Sequence, residues 1–144
     1  MELEPASFTI PISVRYADIY SLQHVNNARN FSLREKARAR YFAHLGLWDG
    51  EQMRGLNVIL AQTSCQFKRP IRYGDAVFVR AKTIRLGGKS FDMRYELLDD
   101  EDGLYAVGEA TLVCFDYQEN RATPIPREWR QTLAEFEGLD KTEG

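Results

Sequence analysis

The chain has 144 residues, 44% of them apolar, enough for one domain with one core and too few for two ordinary ones. Its 19 Lys and Arg against 21 Asp and Glu give a formal net charge of -2, with no long block of like charge. That balance excludes a general electrostatic pull toward nucleic acid or an anionic membrane, so any anion site must be local.

Met1 to Ser7 carries two glutamates and no apolar core, unlike a secretory signal, and no apolar run reaches membrane-spanning length. A cytoplasmic location is the resulting expectation. The two cysteines, Cys65 and Cys114, each sit in an apolar stretch that reads as strand, which suits reduced core thiols. Neither they nor the two histidines, His24 and His44, have metal-ligand spacing, so no zinc site is expected.

In chain order, Phe8 to Tyr16 reads as a first strand, with Phe8, Ile10, Ile12 and Val14 alternating against polar neighbours and Pro11 marking an edge. Asn26-Asn27 offers helix N-cap chemistry, and Ala28 to Leu45 contains neither Pro nor Gly, which predicts one long helix closed by Gly46. Extended segments follow at Leu56 to Lys68, Ala76 to Leu86, Ser90 to Leu98 and Leu104 to Tyr117. Turn residues separate them at Tyr73-Gly74-Asp75, Gly87-Gly88 and Asp99 to Gly103, and each break is short enough for a hairpin. Phe91, Met93, Tyr95 and Leu97 alternate with Asp92, Arg94 and Glu96, giving that strand one wet face, whereas Leu104 to Tyr117 is apolar on both sides and should be central or covered by a partner chain. Pro124 and Pro126 lead into a short helix over Arg127 to Phe136. With no linker or repeat, the order strand, long helix and antiparallel run predicts a single α+β domain over residues 1–144, with a curved antiparallel sheet of about five strands on one central helix.

On a helical wheel, Ala28, Phe31, Ala39, Phe42 and Ala43 gather into one arc, which should face the sheet. Glu35 falls near its centre, where a carboxylate needs either a cationic partner, such as Arg38, Arg34 or Arg15, or a role in a site. Ahead of the helix, Asp18, Tyr20, His24, Asn26 and Asn27 form a polar cluster. Such a cluster can hold a carbonyl against helix N-terminal amides, which stabilise negative charge developing on oxygen; equally, Asn27 can be a helix cap and Asn26 and Asp18 turn formers.

The segment Val14-Arg15-Tyr16-Ala17-Asp18-Ile19-Tyr20-Ser21-Leu22-Gln23-His24-Val25-Asn26-Asn27 resembles the signature of the 4-hydroxybenzoyl-CoA thioesterase-like hotdog family, R-x-x-D-x-D-x-x-G-H-V-N-N. Glu35-Lys36-Ala37-Arg38 is similar to that family's E-x-A-R, and Phe67-Lys68-Arg69-Pro70-Ile71-Arg72-Tyr73-Gly74-Asp75 to its F-x-R-P-x-x-x-G-D turn. Gln23-His24-Val25-Asn26-Asn27 also resembles the acyl-carrier-protein thioesterases. The resemblance implies a hotdog fold, a homodimer or homotetramer joined edge to edge, acyl-thioester sites between subunits, and no metal or cofactor beyond the CoA of the substrate. It also implies catalysis by the second Asp of D-x-D, with amides of the helix start polarising the thioester carbonyl.

Here that second position is Tyr20, and a phenol is a poor base or nucleophile near neutral pH. Gln23 stands where many members have Gly, and Asn30 where they have Tyr. The function expected is hydrolysis of an acyl-CoA or acyl-carrier thioester, with Asp18, Glu35 or a carboxylate of a facing subunit activating water, His24 and Asn26 orienting it, and Tyr20 donating a hydrogen bond. The alternative is a hotdog that binds the thioester without cleaving it, and a third reading is a purely structural role. Lys68, Arg69, Arg72, Arg85, Lys89 and Ser90 are the candidates for contact with CoA phosphates, Lys89-Ser90 because its hairpin is similar to one that approaches the cofactor in relatives.

Overall fold

The computed structural model describes residues 8–13, 27–48 and 57–140, the side chains of residues 27 and 28 excepted. Strand β1 is Phe8–Ile12, helix α1 Asn27–His44, β2 Asn57–Thr63, β3 Gln66–Phe67, β4 Val77–Leu86, β5 Ser90–Leu98, β6 Leu104–Asp116, β7 Arg121–Ala122 and helix α2 Arg127–Glu137. All pairings are antiparallel, in the order β1-β4-β5-β6-β2, with β3 and β7 also pairing to β6. This is the α+β hotdog arrangement that the sequence predicts.

Helix α1 packs on β1 and β4, and α2 also packs on β4. Phe91, Met93, Tyr95 and Leu97 of β5 are fully buried beneath the helices, while Asp92, Arg94 and Glu96 look outward, as their alternation predicts. The outward face is laced with ion pairs: Arg80 to Glu96 at 3.0 Å, Arg85 to Asp92 at 2.7 Å and Arg94 to Glu109 at 3.7 Å. Strand β6 is central, which explains its apolar character on both sides. Pro11 lies on β1, an edge strand, where its missing N–H interrupts no second ladder. Gly46 ends α1 with φ at +77°, while the Leu47 N–H donates to Phe42 O at 2.8 Å and the Gly46 N–H to Ala43 O at 3.0 Å, a Schellman closure.

Three expectations need correction. The turn at Tyr73-Gly74-Asp75 is not a hairpin: the strands before it pair with β6 and the strand after it with β1 and β5, so the chain there crosses from one side of the sheet to the other. Leu56 to Lys68 is not one strand but two, broken at Ser64 and Cys65. Gly108 of β6 lies under that break, and a Cβ there would fall 2.0 Å from Ser64 O, so only glycine permits the approach.

The third correction concerns the face of α1. The residues it buries are Asn30, Leu33, Arg34, Ala37, Tyr41 and Phe42, whereas Phe31 and Ala39 are half-buried and Glu35 and Ala43 exposed. The inward arc is therefore rotated by about two-fifths of a turn from the apolar one. Hydrophobicity alone misplaces it, because the true inward face carries an asparagine and an arginine, and the arginine's cost of burial is met by specific partners.

Candidate functional site

Helix α1 begins at Asn27, directly after His24-Val25-Asn26, so the amides of its first turn, which have no acceptor within the helix, lie at the end of the sequence motif. Asp18, Tyr20, His24 and Asn26 lie outside the described residues, as does Arg15, and Asn27 is described only as the first residue of α1. Glu35 is not on the buried face: its side chain is 61% exposed, and Arg38 Nη2 stands 4.0 Å from its carboxylate. It points away from its own sheet because the wheel position that packs inward, one step back, belongs to Arg34.

Arg34 is only 2% exposed. Its Nη1 donates to Ser64 O at 2.7 Å, and its Nη2 to Thr63 Oγ1 at 2.8 Å and Glu109 O at 3.3 Å. The guanidinium also lies over Tyr95 at 4.6 Å and Phe31 at 5.0 Å from the ring centres. A planar cation thus fills the break between β2 and β3, where it supplies a donor to Ser64 O and a second, longer one to Glu109 O, which already accepts the Ser64 N–H at 2.9 Å. Burial pulls the Arg34 pKa down from its usual value, but a guanidinium remains charged at any working pH. Cys65 lies beside it, half-buried, and desolvation raises its thiol pKa despite the neighbouring cation. One turn further on, Arg38 Nη1 donates to the Tyr95 hydroxyl at 2.9 Å, whose pKa burial raises. Asn30, one turn before Arg34, is 5% exposed, and its Oδ1 has no hydrogen-bond partner among the described residues.

The six candidate phosphate contacts fall into two groups. Lys68, Arg69 and Arg72 lie on the β3–β4 connection, from which Arg69 reaches the Asp99 to Gly103 turn. There Arg69 pairs with the Asp99 carboxylate, donates to Leu104 O at 3.3 Å and lies 4.1 Å over Tyr105. The N–H groups of Gly103 and Glu101 hold the Asp99 carboxyl below the ordinary carboxylate range, with Arg69 adding to them. Arg72 presents an exposed side chain, while its N–H donates to Asp75 at 2.8 Å. Arg85, Lys89 and Ser90 belong to the β4–β5 hairpin, where Arg85 pairs with Asp92 and Lys89 is exposed. Strand β5 separates the groups, and its nine residues span roughly 27 Å, so one phosphate group cannot be reached from both within a chain.

The second group stands on a braced tip. Arg130 of α2 donates to Gly87 O, Ile125 N–H to Gly88 O at 3.0 Å, and Cys114 N–H to Lys89 O at 2.9 Å. Composition alone did not single out Arg130 or Arg34 as a clamp. The one sequence signal for Arg34 was its spacing of four from Asn30, which puts two polar groups on one helix face.

The sequence profile of the Thioesterase-like superfamily matches residues 14–133. The chain belongs to this superfamily. It is 27% identical over 131 residues to the long-chain acyl-CoA thioesterase FadM of Escherichia coli strain K12, covering 84% of this chain and 91% of FadM. A crystal structure of a thioesterase from Thermus thermophilus, complexed with coenzyme A and Zn, superimposes with a TM-score of 0.82 at 31% identity, covering 97% of this chain and 99% of that one. SAV2348 of Staphylococcus aureus, in complex with CoA, shares the fold with a TM-score of 0.86 at 14% identity, covering 100% of this chain and 92% of its own. Among the described residues, no helix is long and apolar enough to cross a membrane and no group of His, Cys, Asp and Glu is arranged to hold a metal ion.

Proposed function

We propose that this protein hydrolyses an acyl-CoA thioester to the free acid and thiol. The observation that carries the reading is the junction at Asn27, where a thioesterase-like motif runs into the first turn of an 18-residue helix. Amide N–H groups there have no acceptor within the helix and can polarise a thioester carbonyl, in the manner of an oxyanion hole. Lys89 at the braced hairpin is the better-placed candidate for the CoA phosphates, since its ammonium lies at the surface while the Arg85 and Arg69 guanidinia already hold carboxylates. A carrier-protein thioester presents the same reacting bond and is the other donor to test.

Tyr20 leaves Asp18 and Glu35 as the candidates to activate water. Glu35 suits the role through its exposure, because a carboxylate aimed away from its own core can face a site formed with a second subunit. Such assembly is supported by the half-buried Phe31 and Ala39 beside it and by the edge strand β2, where Leu60 is 41% exposed; Phe67 on β3 is 43% exposed. A homodimer joined at β2 would cover them, and two such dimers would make a tetramer. The two free thiols fit a cytoplasmic setting.

The test is thiol release from a panel of acyl-CoAs by the wild type and by Asp18→Asn, Glu35→Gln and Tyr20→Asp variants. Loss of about 10²-fold or more in kcat is expected for whichever carboxylate is the base. Full activity in both carboxylate variants removes them from the scheme. Tyr20 also favours a second reading, a protein that binds acyl thioesters without cleaving them; it prevails if only Tyr20→Asp turns over.

A further inference from the structure

Resting on the thioester-site reading above, we infer that the acyl group this site takes is short and carries a hydrogen-bond donor, with Asn30 as the specificity-determining residue and Arg34 as the end wall. If the thioester carbonyl lies on the amides at the start of α1, an acyl group following the helix's buried face meets Asn30 first. The Oδ1 of Asn30 is an acceptor in a residue only 5% exposed, and no donor reaches it among the described residues. An acceptor buried without a donor keeps the full penalty of its desolvation, and a ligand hydroxyl or amino group at that point removes it.

One turn deeper the path ends. Arg34 is 2% exposed, with its donors aimed at Ser64 O, Thr63 Oγ1 and Glu109 O and its plane against Tyr95 and Phe31. Those donors serve the protein, so Arg34 closes the slot rather than capturing a substrate carboxylate. Behind it Ala37, Tyr41 and Tyr95 are fully buried. From Asn27 to Arg34 the helix rises only about 10 Å, too little for a long acyl chain to lie along this face. This sets the site apart from that of a long-chain enzyme.

The experiment compares butyryl-CoA, 3-hydroxybutyryl-CoA and palmitoyl-CoA with the wild type and an Asn30→Leu variant. Turnover is followed by thiol release, and affinity by calorimetry with the corresponding non-hydrolysable thioethers. The wild type is expected to favour the hydroxylated over the plain four-carbon compound by about ten-fold and to take the palmitoyl compound least well. Asn30→Leu, which removes the unpaired Oδ1 at similar side-chain volume and whose fold is checked by its urea unfolding midpoint, is expected to reverse the four-carbon preference. Equal handling of the two four-carbon compounds, a preference that survives Asn30→Leu, or a best fit to the palmitoyl compound overturns the inference while leaving thioester hydrolysis standing. Selective thioether binding without turnover has the opposite meaning, and no binding to any compound removes both.

Discussion

Helix α2 turns Trp129, Leu133 and Ala134 inward, whereas α1 turns inward Asn30 and Arg34 together with Leu33, Ala37 and Tyr41. The first seam is hydrophobic: Trp129 stacks edge-on against Phe42 at 5.1 Å and tilts over Phe91 at 6.3 Å, so burial of area and dispersion hold it. The second is polar and depends on direction, because a buried guanidinium is tolerated only where its N–H groups meet acceptors. The helices also meet each other. Glu137 of α2 accepts from the Tyr41 hydroxyl and from Thr83 N–H at 2.9 Å, and the Thr83 hydroxyl lies 2.9 Å from the Tyr41 oxygen. Thr83 stands beside a register shift in β4 and beyond Ala81, the last residue of β4 that pairs with β1. What the pair teaches is that an apolar seam can be recognised from composition, while a polar seam is defined by partners distant in sequence.

Trp129→Ala attacks the apolar seam and is expected to have the largest effect, a loss of about 3–5 kcal/mol in urea unfolding. Arg34→Met attacks the polar one, leaving Ser64 O and the Thr63 hydroxyl short of a donor; about 2–3 kcal/mol should be lost. Arg34→Lys should recover little of it, since an ammonium cannot reproduce the planar fork. A change under about 0.5 kcal/mol in Arg34→Met would mean that the cation does not hold the β2–β3 break, and the contrast between the seams would collapse.

The smallest effect is expected where the helices join. Burial pushes the Glu137 carboxyl above its ordinary value of 4.5, against the opposing pull of its hydrogen bonds to Tyr41 and Thr83. A group whose folded pKa is raised stabilises the fold fully below its unfolded pKa and loses that contribution as pH rises through the folded value. The melting temperature should therefore fall as pH rises from 4.5 toward neutrality, and Glu137→Gln, which keeps both acceptor contacts without the charge, should flatten that slope. An unchanged slope in the variant would place the pH dependence elsewhere.

Much of the fold was legible before any coordinates. The alternation of Phe91, Met93, Tyr95 and Leu97, the two-sided apolar run of β6, Pro11 on an edge, Gly46 as a cap and Pro126 ahead of α2 are local or nearest-neighbour effects, and each was borne out. The break at Ser64 was not legible, because it arises from the close approach to Gly108, far along the chain. Nor was the crossing that follows β3, since a short polar turn reads alike whether or not its strands pair. Strand β7 was missed because two residues carry no period.

The candidate site divides in the same way. By itself the sequence determined the superfamily, through a motif ending at the helix start, and the departure at Tyr20 that unsettles the usual catalytic scheme. Only the tertiary structure decided that Glu35 faces outward, that Arg34 and Asn30 face inward, and that Arg69 and Lys89 stand at opposite ends of β5. The physical reason is that motif and periodicity are properties of neighbouring residues. Whether a charge is buried depends on acceptors such as Ser64 O and Glu109 O, which only folding brings within its reach.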